Sequence, residues 1–176
     1  MKPVLVKPCE MYIDEICAYR RESLEYDKWI HGSGGLSQFE DINAWITQCR
    51  LSERKETVPN PDWVESEQFV LVCEDGRRIL GMINFRHYLN ELIAERGGHI
   101  GYSVRPIERR RGYAKAMLML CLEKCREFGT DKVLLTCDFD NEASRRTIIS
   151  CGGKFERLAD SEDGKKDTER YWIVLQ

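Results

Sequence analysis

One stretch constrains this chain more than any other. Ile100-Gly101-Tyr102-Ser103-Val104 is a short, mostly apolar run halted at Arg105-Pro106, and Arg109-Arg110-Arg111-Gly112-Tyr113-Ala114 follows at once. Proline has no N–H to give a sheet ladder, so the strand ends there. Beyond Gly112, the residues Ala114, Met117, Leu118, Cys121, Cys125 and Phe128 fall on one stripe at helical period, and Gly129 is a natural C-terminal stop. A strand therefore runs through a basic glycine turn directly into an amphipathic helix. A helix start leaves about four N–H groups without intrahelical partners, and the macrodipole adds positive potential there. Gly112, with no Cβ, lets another group come close to the backbone. The turn is a candidate anion cradle deepened by its arginines. The plainer reading is a solvated loop that joins strand to helix.

The rest of the chain alternates between the two periods. Val4 to Lys7 is a short strand ended by Pro8, and Glu10 to Tyr26 is loosely helical through Met11, Ile13, Ile16, Cys17, Tyr19 and Leu24. His31-Gly32-Ser33-Gly34-Gly35 is a loop by composition, expected to be flexible and to order over a bound acceptor. A second helix carries Phe39, Ile42, Trp45, Ile46 and Cys49 on one face, before Asn60-Pro61-Asp62 breaks the chain. Phe69 to Cys73 and Ile79 to Tyr88 are two strands joined at the turn signal Asp75-Gly76, and Gly97-Gly98 turns into the strand from His99 to Val104. Lys132 to Cys137 is apolar enough to be covered on both faces. Asn141 can cap a helix that ends near Cys151. Lys154 to Leu158 and Arg170 to Leu175 close the chain around a charged turn, Asp160 to Asp167. The plan is α/β: a mixed, mostly antiparallel central sheet of about six to seven strands with about four helices, in which the unit near residues 99 to 137 is expected to be a right-handed crossover with parallel strands.

Composition narrows the class. A length of 176 residues suits one domain, and 42% hydrophobic with 32% charged residues is ordinary for a globular protein. A net charge of -3 disfavours nucleic-acid binding, and the local positive charge at Arg105 and Arg109 to Arg111 suits a small anion. Eight cysteines form no Cys-x-x-Cys pair, and with three scattered histidines they give no metal-ligand spacing. The start, Met1-Lys2-Pro3-Val4-Leu5, has no signal-peptide pattern and no run spans a membrane, so the expectation is a cytosolic protein with reduced thiols, no metal and no membrane partner.

The turn fits Arg/Gln-x-x-Gly-x-Gly/Ala as Arg109-x-x-Gly112-x-Ala114, and Asp140-Asn141-Glu142-Ala143-Ser144 forms a second block downstream. Together these resemble the acetyl-CoA signature of the GNAT superfamily of N-acetyltransferases. The segments around Asn84 to Asn90 and Gly97 to Tyr102 also look like a subgroup of uncharacterised bacterial predicted acetyltransferases. The resemblance covers nearly the whole chain, strongest from about residue 79 to 155, and implies one N-acetyltransferase domain over 1–176. Its acceptor-side helical half would be about 1–66, its acyl-CoA core about 67–158, and closing strands would run to 176. It implies acetyl-CoA as acyl donor, held at its pyrophosphate by Arg109, Arg110, Arg111, Gly112, Tyr113, Ala114 and Lys115. Tyr102, Ser103 and Val104 would align the pantetheine and polarise the thioester, and Asn141 and Ser144 would reach the pantetheine arm. Asn141 and Ser144 also read as ordinary helix-start residues.

Acetyl transfer to a primary amine by direct attack needs a neutral nitrogen, and a lysine-like amine of pKa about 10.4 is almost wholly protonated at pH 7. His87 and His99 are the candidate bases, although a histidine in a sheet is more often a hydrogen-bonded structural residue. Glu91 and Glu95 could act through water or simply be solvated. Many members of the superfamily carry a tyrosine acid seven residues after the Asn; here that position is Ile148. The chain therefore leaves other readings open, a non-catalytic CoA-binding sensor or a transferase preferring a longer acyl-CoA. The acceptor, a small amine or peptide amine, is not selected by Trp29, Trp45 or Trp63, and a homodimer stays open.

Overall fold

Both faces of the Ile79–Arg86 strand are apolar for most of its length, and that places it in the middle of the molecule. The computed structural model describes residues 3–73, 76, 78–159 and 167–175. In chain order they form β1 (Val4–Val6), α1 (Ile13–Tyr26), α2 (Ile42–Leu51), β2 (Ser66–Val72), β3 (Ile79–Arg86), α3 (Glu91–Arg96) and β4 (Ile100–Val104). There follow α4 (Tyr113–Phe128), β5 (Lys132–Asp138), α5 (Glu142–Ser150), β6 (Lys154–Ala159) and β7 (Thr168–Val174). One sheet has the order β1-β2-β3-β4 and the other β5-β7-β6, with antiparallel pairing throughout both.

Alternation along β2 and β3 divides the first sheet between two cores. Phe69, Leu71, Ile83 and Phe85 pack with Met117, Leu118, Cys121 and Cys125 of α4 and with Val133 and Leu135 of β5. Val70, Val72, Ile79 and Met82 pack on the other face with Ile16 and Tyr19 of α1 and Trp45 and Ile46 of α2. The middle of the predicted α4 stripe, Met117, Leu118, Cys121 and Cys125, is buried, whereas Ala114 is half-buried and Phe128 exposed; Gly129 ends the helix in the left-handed conformation. Truncating a core side chain such as Leu118 to alanine would cost about 2–5 kcal/mol.

Two features differ from the sequence expectation. The single mixed sheet is divided in two at His99. The His99 N–H donates to the Leu134 carbonyl at 2.7 Å, but the Leu134 N–H donates to the His99 ring at Nδ1, 2.9 Å away. A side chain takes the place of the next backbone acceptor, so no β4–β5 ladder forms and β4 is left as an edge strand. The second difference is α3, a six-residue helix whose start is capped by Asn90 accepting from the Ile93 N–H. It is too short to show a hydrophobic period. Gly76 does have positive φ, as the predicted turn requires, while its neighbour Asp75 lies outside the described residues. Residues 160–166 of the predicted charged turn lie outside them too.

Candidate active site

The end of β4 sets up the turn. The Arg105 N–H closes the β3 ladder on the Leu80 carbonyl, and Pro106–Glu108 is a single 3-10 turn. Arg110 and Gly112 then take left-handed backbone, φ 64° and 81°, and α4 starts at Tyr113. The helices α2, α3 and α5 each begin with a capping side chain, from Asp41, Asn90 and Asn141; α4 has none. A Cβ built on Gly112 would meet nothing within 4 Å. The first turn of α4 thus offers open amides with the positive end of the dipole behind them, which is what a pyrophosphate needs.

Among the arginines of this region the roles separate. Arg105, only 1% exposed, forks onto Glu22 at 2.6 and 2.8 Å and reaches Glu15 and the Ile79 carbonyl, so it is a buried brace for α1. Its pairing holds the Glu22 carboxyl below its ordinary range. Arg111 pairs with Glu108 and does not line the cleft beside the turn, unlike the other predicted donor-side residues. Arg109 and Arg110 do line it, Arg109 bonding the Val104 carbonyl and Asp27.

Along β4 the register decides which backbone groups are free. Arg105 N–H meets Leu80 O and Arg86 N–H meets His99 O, so the odd-numbered residues of this stretch face β3. The N–H groups of Tyr102 and Val104 point the other way, across the unpaired edge into the cleft. On the facing wall, Asn141 accepts from the Ser144 N–H at 3.1 Å, and the Ser144 hydroxyl meets the Tyr102 hydroxyl at 2.9 Å. Burial pushes the Tyr102 phenol up to about 12. The Ser103 hydroxyl turns to the opposite face, 3.0 Å from Tyr19 of α1. Ile148 is fully buried in the core and supplies no acid.

The 31–35 loop is the feature that sequence reasoning misjudged. A Cβ on Gly32 (φ 63°) would lie 2.1 Å from the Gly101 carbonyl oxygen and 2.4 Å from the Tyr102 nitrogen. The loop therefore rides directly on the β4 backbone, and its glycine is there for close approach. Gln68 donates to Gly32 O at 2.9 Å, Trp45 to Ser33 O at 2.8 Å, and Gln48 to Gly34 O at 3.1 Å. These ties contradict the expectation of a loop that orders only on binding. Trp45 is core, whereas Trp29 is 58% exposed on the cleft wall.

This placement carries His31 to the cleft, a residue not singled out as a base in the sequence. The signal that could have found it is its position beside a glycine. The two predicted bases are corrected here, since neither lines the cleft. His99 has its Nδ1 lone pair occupied by Leu134 N–H, and burial, with Arg86 nearby, lowers it to about 4. It is a neutral structural ring. His87 stacks on Phe128 at 4.1 Å and lies 3.4 Å from Glu67. That bond, with Lys7 adding to it, draws the Glu67 carboxyl down to about 2. Glu91 and Glu95 are also away from the cleft, and Glu95 pairs with Arg157 and Arg170.

The cleft between the β4 edge, the α4 turn and α5 has a volume of about 980 Å³, at the upper end of the range for small-molecule sites. Residues 36–152 match the sequence profile of the acetyltransferase (GNAT) family. The chain belongs to the GNAT family of acetyltransferases. Its cosubstrate is accordingly acetyl-CoA, and the open α4 amides, the free β4 edge and the cleft volume fit it. No curated protein sequence matches this GNAT chain. Solved structures do, at identities that speak to fold alone. The microcin C7 self-immunity acetyltransferase MccE, in complex with acetyl-CoA and AMP, is 17% identical with a TM-score of 0.70 over 98% of this chain and 92% of that one. A Salmonella typhimurium acetyltransferase that modifies the N-terminal serine of ribosomal protein L7/L12 is 14% identical, TM-score 0.70, over 100% and 96%. A spermidine N-acetyltransferase chimera of Vibrio cholerae SpeG and hSSAT is 15% identical, TM-score 0.67, over 99% and 96%. Among the described residues no helix is long and apolar enough to cross a membrane, and no His/Cys/Asp/Glu group could hold a metal.

Proposed function

We propose that this protein moves an acetyl group from acetyl-CoA to a primary amine by direct attack, with His31 as the base. Acetyl-CoA supplies an activated acetyl group, its C–S bond breaking as the acceptor's C–N bond forms. The α4 amides from Gly112 to Lys115 would hold the pyrophosphate, with Arg109 and Arg110 beside them. The N–H groups of Tyr102 and Val104, fixed by the β3 register, would bind the pantetheine and polarise the thioester carbonyl. His31 would take the proton of the attacking ammonium. His31 lines the cleft next to Gly32, which packs on the peptide between Gly101 and Tyr102 and so keeps this part of the loop beside β4. That contact is the observation that carries the reading.

The departing thiolate leaves ionised or is protonated by water, since an ordinary thiol has a pKa of about 8.5. Of the hydroxyls and thiols that could substitute for the missing acid, Tyr171 is engaged with Glu169 and neither it nor Cys151 lines the cleft; Tyr102 does. Eight free cysteines suit a reducing compartment and support a cytoplasmic location. The test is CoA release from acetyl-CoA across a panel of amines as a function of pH. The expected rate rises with pH through one inflection that His31→Gln removes. Retention of that inflection in the variant would assign the base elsewhere.

A further inference from the structure

Phe85 and His87 both meet Phe128 of α4, so Arg86 between them points to the opposite face of β3. That is the face of Ser103, Tyr19 and the 31–35 loop, away from the α4 turn. Arg86 lines the cleft at the end remote from that turn, beside Arg96 and Gly97. Its Nη1 donates to the Gly97 and Gly98 carbonyls at 3.2 and 3.0 Å, and its Nε and Nη2 have no acceptor among the described residues.

The two most buried arginines are finished differently. Arg105 sits between Glu22 and Glu15, and Arg170 holds Glu156 and Glu95. Arg86 has no carboxylate, and burial lowers its pKa from the ordinary value. A partly buried guanidinium facing a cleft without a counter-ion is costly unless an anion arrives there. Of the four acids that line the cleft, Asp27 pairs with Arg109 and Glu108 with Arg78 and Arg111, while Asp138 and Asp140 belong to the β5–α5 wall.

We infer that the acceptor amine also bears a carboxylate, which the Nε–Nη2 edge of Arg86 binds, an amino acid being the simplest such molecule. This rests on the acetyl-transfer reading and names the substrate class of the same site. The geometry is compatible: Gly101 pairs with Asn84, and Arg86 lies two residues, roughly 7 Å, further along β3. An acceptor held there by its carboxylate would extend its amine back along the strand toward His31 and the Tyr102 N–H. A guanidinium presents parallel donors that match a carboxylate in two bonds, which a carboxamide cannot accept equally.

The test is CoA release with α-, β- and γ-amino acids, each beside its own carboxamide, and with spermidine as a carboxylate-free amine. The best carboxylate should exceed its carboxamide in kcat/KM by about 10- to 100-fold. Arg86→Gln should collapse that ratio with the KM for acetyl-CoA unchanged, and Arg86→Lys should keep part of it. The wild-type ratio is informative even if a variant fails to fold. Carboxamides or spermidine used as well as or better than every carboxylate would overturn the inference while leaving acetyl transfer intact. A preference that survives in Arg86→Gln would overturn it also, by assigning the carboxylate to another group. CoA release from no amine at all would overturn the acetyl-transfer reading, and this inference with it.

Discussion

Two glycines with left-handed backbone flank β4 and border the same cleft, yet their surroundings are opposite. Gly112 looks into empty space, and the helix behind it starts without a cap. Gly32 is pressed onto the peptide between Gly101 and Tyr102, with Gln68 fastened to its carbonyl. The first glycine leaves room for a ligand; the second leaves none, because the protein itself fills the space. Backbone conformation alone does not distinguish them. What each Cβ would meet does, and it separates an open turn from a packing turn.

The largest effect should come from Gly32→Ala. The left-handed conformation and the loss of ties such as Gln68 to Gly32 and Trp45 to Ser33 together predict a cost of roughly 3–5 kcal/mol. Denaturant unfolding checks it, and a variant within 1 kcal/mol of wild type, on the order of a surface change, would break the comparison. Next is the His99 junction between the two sheets. His99 titrates near 4 when folded against about 6.5 when free, so the unfolded chain takes up the proton first. Its contribution is complete above about pH 6.5 and is lost as the pH falls toward 4, roughly 3 kcal/mol in all. Unfolding curves at neutral and acid pH should show a steeper loss in wild type than in His99→Gln; parallel losses would contradict the neutral ring. His31→Gln should lower kcat/KM about 100-fold with folding intact. Gly112→Ala should be the mildest, about 1–2 kcal/mol of backbone strain without a clash, measurable as a small shift in thermal midpoint.

The turn and the cleft wall around it were legible because their signals are local. The proline stop, the glycine turn, the α4 stripe and the Asn141 cap lie close together in the chain, and eleven of the twelve residues expected to hold the donor line the cleft. Arg111 is the exception, since Glu108 three residues earlier captures it. The packing of the 31–35 loop was not legible, because its logic is long-range. Gly32 makes sense only against Gly101, and Trp45 only against Ser33. His99 reads as a strand histidine until Leu134 is placed on its ring. The break between the sheets has the same origin: no local pattern shows that a side chain will replace a ladder bond.

The account turns most directly on acetyl-CoA binding at the open glycine. Titration calorimetry on wild type and Gly112→Asp, with thermal midpoints recorded alongside, measures it. An added carboxylate should occupy the space above the α4 amides and repel the pyrophosphate, weakening acetyl-CoA by about 100-fold or more while the protein stays folded. Equal affinity in the two folded proteins would contradict the assignment of this turn as the donor site.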